Sequence, residues 1–159
     1  MKIRKATQKD IKQINLLYKK QFSAMKEFRP DLFNAAKSDE DRISAYIKNP
    51  KNLMIVAQDN EKVVAFLSAE EQQTMPFPFL IPHKFAQLWD IFVDKPYRGS
   101  GLAEKLLNNL VKWSEKRNLD FVRLNVLAQN SRAISFYRKK GFKETTLIFD
   151  KPLKAKKVD

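Results

Sequence analysis

The alternation of apolar and polar positions divides the chain into ten short blocks. "KIRKA" (2–6) alternates and predicts a short strand. Thr7 then stands as a helix N-cap, with Asp10 three residues on at capping-box spacing. Ile11, Ile14, Leu17, Tyr18 and Phe22 recur at helical spacing, so a helix is predicted over about 8–26. "FRPDLF" interrupts it, and Ile43, Tyr46 and Ile47 predict a second helix near 39–49. "NLMIVAQ" (52–58) and "KVVAFLSAEEQQ" (62–73) read as a hairpin turning on "DNEK". "TMPFPFLIPHK" (74–84) carries three prolines, which cannot pair in a central strand, and predicts a long apolar loop. "FAQLWDIFV" (85–93) resumes as a strand. Leu102, Leu106, Leu107, Leu110 and Val111 form one stripe of a helix over about 100–117. "FVRLNVL" (121–127) alternates as a strand. A helix at 130–140 is capped by Asn130 and ended by Gly141, and "FKETTLIFD" (142–150) predicts a final strand.

The resulting order, β-α-α-β-β-β-α-β-α-β, predicts an α/β (α+β) fold with a mixed sheet flanked by helices. A chain of 159 residues with no internal repeat or linker fits one domain over 1–150, followed by a basic tail at 151–159. Composition narrows the chemistry. Hydrophobic content of 43% beside 31% charged residues describes a globular chain. Without cysteine there is no disulfide, thiolate metal site or cysteine nucleophile. The single histidine, His83, has no metal-ligand spacing to anything, and no metal is expected. It reads as a surface loop residue or a substrate contact. The opening "MKIRKATQKD" lacks an apolar leader and no later run has membrane-span length, so no membrane association and a cytoplasmic location are expected. The net charge of +13 favours an anionic partner or serves solubility.

Glycine is scarce. Average usage would give about eleven, and the chain has three, Gly99, Gly101 and Gly141. Gly141 ends a helix. Gly99 and Gly101 lie where a strand turns into a helix, after Arg98. There they leave the first helical amides uncovered, and those amides with the helix dipole form an anion site. Arg98 adds a charge that can pair with phosphate oxygens. A dinucleotide fingerprint would need glycine where Glu104 stands, and a Walker-type loop would need lysine and serine or threonine where Leu102 and Ala103 stand. A tight turn without a ligand is the other reading of the same residues.

"DIFVDKPYRGSGLAEKLL" resembles the acetyl-CoA signature of the GCN5-related N-acetyltransferase (GNAT) family, with Arg98, Gly101 and Ala103 in its pattern. "NSRAISFYRKKGF" (130–142) is similar to the family's second signature. The resemblance extends over nearly the whole chain and implies a mostly antiparallel mixed sheet, splayed at a β-bulge beside the cofactor strand and flanked by about four helices. It implies acetyl-CoA as cosubstrate and an amine as acceptor. The backbones of Ile91, Phe92 and Val93 would bond the pantetheine and acetyl carbonyl. The loop of Arg98, Gly99, Ser100, Gly101, Leu102 and Ala103 would hold the pyrophosphate. Asn130 would bond the pantetheine arm, and Tyr137 would stand near the thioester sulfur. A homodimer is the family's common habit.

Acetyl transfer needs a neutral amine, a stabilised oxyanion and a protonated leaving thiolate. Asp90, the charged residue within "FAQLWDIFV", is the first candidate base, with Trp89 and Ile91 placed to desolvate it. Some family members have a glutamate where Trp89 stands, and a structural aspartate fits Asp90 equally. Glu70 and Glu71 are fallback bases. A backbone amide near Phe92 or Val93 would serve the oxyanion. Tyr137 is the candidate acid. On spacing alone it shares a core face with Ala133 and Phe136. By family analogy, residues 23–40 and the loop 74–84 line the acceptor cleft, with Phe28, Phe33, Phe77, Phe79, Glu27 and Asp31. The alternatives to an N-acetyltransferase are a CoA-binding regulator without turnover, an acyltransferase with a larger donor, and a nucleic-acid-binding module. For the last, the chain has basic residues but none of the usual signatures.

Overall fold

A computed structural model describes residues 1–153; most of the expected basic tail lies outside the described residues. Its strands are β1 (Lys2–Lys5), β2 (Asn52–Asp59), β3 (Lys62–Gln73), β4 (Lys84–Val93) and β5 (Phe121–Leu124). Its α-helices are α1 (Ile11–Phe28), α2 (Glu40–Lys48), α3 (Leu102–Lys116) and α4 (Ser131–Lys139). The strands form one sheet in the order β1-β2-β3-β4-β5. Pairing is antiparallel except between β4 and β5, which run parallel. None of the described helices is long and apolar enough to cross a membrane.

Helices cover both faces of the sheet. Leu53, Ile55 and Ala57 of β2 point to the α3 side, where Leu102, Leu106, Leu107 and Leu110 are buried as the stripe predicts, while Val111, the fifth residue of that stripe, is 37% exposed. Met54 and Val56, the alternate residues, point to the α1–α2 side and pack with Ile14, Leu17, Tyr18 and Ile43. This period-two division is what a strand with both faces covered requires. Each buried leucine of that stripe contributes about 1.5–3 kcal/mol.

The α1 entrance forms as the spacing predicts. Thr7 and Asp10 complete a capping box around the short 3-10 turn Gln8–Asp10. Buried Asp10 also accepts from both terminal nitrogens of Arg4, at 2.7 and 2.8 Å, which ties β1 to the start of α1. The proline-rich segment is a loop, closed at its base by Thr74 and His83.

Two irregularities along β4 bear on the site. Pairing between β3 and β4 slips at Ser68/Ala69: Ser68 faces Asp90 while Ala69 faces Leu88, so Trp89 is an extra, unopposed residue. Separately, β5 pairs with β4 only from Phe85↔Phe121 to Leu88↔Leu124. Past Leu88 the two strands part, leaving a gap along Ile91–Val93.

The final strand predicted at 142–150 does not form. That segment has no regular secondary structure, and Leu147, Ile148 and Phe149 are 73%, 83% and 88% exposed. Its start is held by the Phe142 amide donating to the Tyr137 carbonyl and by an Arg138–Glu144 pair. Its end approaches α1, with Asp150 3.6 Å from Arg29. Local pattern favours a strand here, but a strand also needs a neighbouring edge, and these ties lead the segment away from one.

Candidate active site

The bulge decides which way Asp90 points. Without the extra residue, Asp90 would share the α3 face with Ala86 and Leu88. With it, Ile91 and Val93 take the α3 face, and Asp90 turns to α1 together with Phe92. There Asp90 Oδ2 accepts from Tyr18 Oη at 3.0 Å and Ser68 Oγ at 2.8 Å, and Oδ1 accepts from Gln21 Nε2 at 2.8 Å. Three neutral donors from α1 and β3 therefore fix this carboxylate. The expected neighbours do not: Trp89 is 49% exposed and donates to Glu70, and Ile91 lies on the other face. Around the cluster, the hydroxyl of Tyr46 and Oε1 of Gln21 are buried without a protein partner among the described residues. Burial, then the charges of Glu70 and Asp90, push the Tyr46 phenol up. Burial and the neighbouring Asp90 carboxylate likewise push Tyr18 up.

Tyr137 lies on α4. Its half-buried ring meets Phe136 and Phe142 edge-on at 5.3 and 5.6 Å. Burial first, and the charge of Asp90 second, push its phenol up to about 12. Spacing gave Tyr137 a core face, and it does pack on the α3-side core. Asn130 caps α4, its Oδ1 accepting from Ala133 at 3.1 Å, which leaves Nδ2 as the donor of that side chain.

The glycine loop lies between β4 and α3. Asp94, at its entrance, accepts from Lys20 Nζ at 2.7 Å and from the Lys95 amide at 2.9 Å. Burial pushes the Asp94 carboxyl up, but Lys20 outweighs it and holds the group below the usual carboxylate range. Tyr97 ties the loop to Asp59 of β2. Gly99 and Gly101 have φ of +83° and +75°, and a side chain at either would meet nothing within 4 Å. Glycine is required there for backbone conformation, and the space in front of the loop is open. Gly101 is the N-cap of α3 and lends no side chain, and the first intrahelical bond is Lys105 to the Gly101 carbonyl. The amides of Leu102, Ala103 and Glu104 consequently have no protein acceptor among the described residues. Arg98 Nε donates to the Val93 carbonyl at 3.0 Å, and its guanidinium lies 5.5 Å from the Phe92 ring centre. Its terminal nitrogens have no protein acceptor among the described residues. The donors fit a diphosphate: open backbone amides, a helix N-terminus and a guanidinium.

The remaining candidates are dispersed. Glu71 is paired with Arg117 at 2.6 Å. His83 bonds Asp120 at 2.9 Å in the β3–β4 loop. That loop and Asp120 line an open cavity of about 740 Å³. It lies five to six residues along the sheet from Asp90, about 17–20 Å, so it is separate from Asp90 and its partners. Phe77 and Phe79 stack on each other at 5.5 Å, and Asp31 is paired with Arg29. Sequence spacing did not single out Tyr18, Gln21, Tyr46 or Ser68 as site residues. Helical spacing puts Tyr18 and Tyr46 in core stripes, and the polar interruption of two apolar patterns by Gln21 and Ser68 is the available signal.

A family model described as "Acetyltransferase (GNAT) family" matches residues 14–142. The uncharacterized N-acetyltransferase MJ1207 of Methanocaldococcus jannaschii is 27% identical over 146 residues, covering 92% of this chain and 62% of that protein. The [ribosomal protein bS18]-alanine N-acetyltransferase of Escherichia coli is 40% identical over 62 residues, 39% of this chain and 42% of that one. This chain thus spans less than two thirds of the length of either relative. A crystal structure of a mutant BH1408 protein from Bacillus halodurans superposes with a TM-score of 0.91 at 26% identity, covering 96% of this chain and 99% of that one. An aminoglycoside N-acetyltransferase, AAC(6')-Iy, solved in complex with CoA, shares the fold at a TM-score of 0.70 and 15% identity, over 97% of this chain and 100% of that one. With the family match running from α1 past α4, the chain belongs to the GNAT family of acetyltransferases.

Proposed function

We propose that the protein is an acetyl-CoA-dependent N-acetyltransferase that moves an acetyl group to a primary amine by direct attack in a ternary complex. One observation carries the reading. β4 parts from β5 beyond Leu88, so Ile91–Val93 have no strand on that side, with the Val93 carbonyl taken by Arg98, and β4 leads directly into the loop of Arg98 and the uncovered α3 amides. Relatives named for the alanine of a ribosomal protein and for L-2,4-diaminobutyric acid support an amine acceptor.

In this reading the loop Arg98–Ala103 holds the diphosphate, the backbone of Ile91–Val93 and Asn130 Nδ2 hold the pantetheine arm, and acetyl-CoA supplies the activated acyl group. Making a lysine-like amine neutral at pH 7 costs about 4.6 kcal/mol. Asp90 takes that proton through a water on its Oδ1 side, where Gln21 is one donor, against the two, Tyr18 and Ser68, on Oδ2. The amine nitrogen attacks the carbonyl carbon. A C–N bond forms, the C–S bond breaks, nitrogen loses a proton and sulfur gains one. Tyr137, with its phenol at about 12, would have to give a full proton to a thiolate of pKa near 8.5 uphill by about 5 kcal/mol. It therefore acts as a hydrogen-bond donor to the departing sulfur, passing its proton on only as the C–S bond opens and regaining the one that nitrogen loses, while the proton on Asp90 leaves to solvent.

The test is thiol release from acetyl-CoA across a panel of amines, beside calorimetry with CoA. CoA binding with amine-dependent thiol release is expected. CoA binding without release from any amine would favour a regulatory role, faster release with longer acyl-CoA a larger donor, and absence of CoA binding would remove the reading.

A further inference from the structure

The β3–β4 hairpin outruns its neighbour. β2 begins at Asn52, opposite Glu70, while β3 goes on to Gln73, paired with Lys84. At about 3.4 Å per residue the end of the hairpin stands roughly 10 Å clear of β2. Residues 72–82 at this tip carry no charge. Phe79 and Ile81 are 81% and 74% exposed, and Met75, Phe77 and Leu80 are exposed beside them. So many apolar side chains within eleven positions form a patch of the kind that marks an interaction surface. Its shape is set before anything binds. Pro76, Pro78 and Pro82 fix the backbone, Phe77 and Phe79 stack in parallel, and the Thr74 amide donating to the His83 carbonyl closes the base. The base of the hairpin is basic. Lys48 ends α2, Lys51 precedes β2, Lys84 opens β4 and Lys116 ends α3. All four are exposed, and none is in an ion pair among the described residues. The carboxylates at the same end are engaged: Glu71 with Arg117, Asp120 with His83, and Glu70 with the Trp89 indole, which leaves Glu115 next to Lys116.

We propose that this end of the molecule docks on an anionic lipid surface, with Phe79 and Ile81 entering the interfacial layer and Lys48, Lys51, Lys84 and Lys116 meeting lipid phosphates. Interfacial protein segments bury apolar atoms about 5–10 Å into the boundary between headgroups and acyl chains. A tip standing roughly 10 Å above a collar of lysines has that height, and lysine stems extend to keep their ammonium groups among the phosphates. At that depth the loop backbone stays hydrated, so no regular structure is required of it. Charge selects the occupant. The net charge of +13 draws the chain to an anionic surface, and unpaired lysines spread around an apolar tip suit a fluid array of phosphates. The expectation of no membrane association rested on the lack of an apolar leader and of a spanning run, and neither bears on a loop that lies on a surface. The Arg98 loop follows the opposite end of β4, about 30 Å away, so docking leaves it open.

The proposal stands independently of acetyl transfer and is read by vesicle flotation of the full-length chain without CoA or amine. At about 0.1 M salt the protein is expected to float with vesicles of mixed phosphatidylglycerol and phosphatidylcholine, not with phosphatidylcholine alone, and to be released as salt rises. Phe79→Ser with Ile81→Ser keeps every charge, and Lys51→Gln with Lys84→Gln keeps the apolar tip. Each pair, at exposed positions and with unchanged circular dichroism, is expected to weaken binding at least tenfold. Leu16→Ser, at an exposed apolar position on α1, is expected to leave it unchanged. Phe79→Trp is expected to add emission that shifts to the blue with the anionic vesicles. Absence of flotation, equal binding to phosphatidylcholine alone, binding that survives the serine pair, a loss shared by Leu16→Ser, or an unshifted Phe79→Trp spectrum overturns the proposal. A dimer in the absence of vesicles that the serine pair converts to monomer assigns the patch to a second copy and overturns it as well.

Discussion

At Gly101 one residue carries both a conformational and a binding requirement. Its φ of +75° disfavours any side chain, while nothing lies within 4 Å of where a Cβ would stand. Gly101→Val therefore strains the backbone by about 1–2 kcal/mol, which lowers Tm by about 2–8 °C in a chain of this size. If the α3 amides grip the diphosphate, it also weakens CoA binding, and calorimetry beside a melting curve separates the two effects. At Tyr137, replacement by Phe keeps the ring packing with Phe136 and Phe142 and removes the hydroxyl. Turnover is expected to fall at least tenfold with CoA affinity within about twofold. Tyr18→Phe removes one donor to Asp90. A change in kcat and its pH profile with KM unchanged identifies Tyr18 as a positioning residue, and an unaltered profile makes its bond purely structural.

The Trp89 bulge is the decisive feature among the elements. Because side chains alternate, one extra residue sends Asp90 to the α1 face and Ile91 and Val93 to the α3 face. Deleting Trp89 restores regular register and sends Asp90 toward α3, away from Tyr18, Ser68 and Gln21. Loss of turnover of at least about 100-fold is expected from misplacing such a group, measured by thiol release. Replacing Trp89 by Ala keeps the residue count, and a similar loss there would mean that the indole, rather than the register, matters. The entrance to α1 makes a separate prediction. Asp10→Asn weakens the bidentate Arg4 pair and the capping box, and is expected to cost about 2 kcal/mol in chemical denaturation.

Across the molecule, buried phenols set the alkaline limit. Tyr18, Tyr46 and Tyr137 are all raised from the ordinary value near 10. Above pH 10 the unfolded chain releases protons that the folded chain keeps, so stability is full below pH 10 and falls as pH rises toward 12. Each phenol contributes about 1.4 kcal/mol per pH unit in that window. Denaturant titration at pH 9 and 11 measures the slope, and one that flattens with Tyr46→Phe assigns part of it. In acid the opposite sign holds. Asp10, held low by its bonds with Arg4, loses its stabilising contribution as pH falls through its depressed folded value.

Much of the fold was legible because its elements are amphipathic on their own period. The leucine stripe of α3, the Thr7–Asp10 box and the hairpin at Asn60 each follow from neighbours in sequence. The positive-φ glycines were legible too, since scarcity marked them. Asp90 and Tyr137 could be named as chemically able groups, but not the partners of Asp90, which come from α1 and β3 some seventy and twenty residues away. The final strand misled because its composition suits a strand while pairing depends on an available edge. The sequence by itself determined which segments could be helices and strands, because those preferences are set within a turn or a pleat. Only the tertiary structure decided which way Asp90 faces, that β4 and β5 part, and that residues 142–150 stay unpaired, because register and edge availability depend on chains meeting across space.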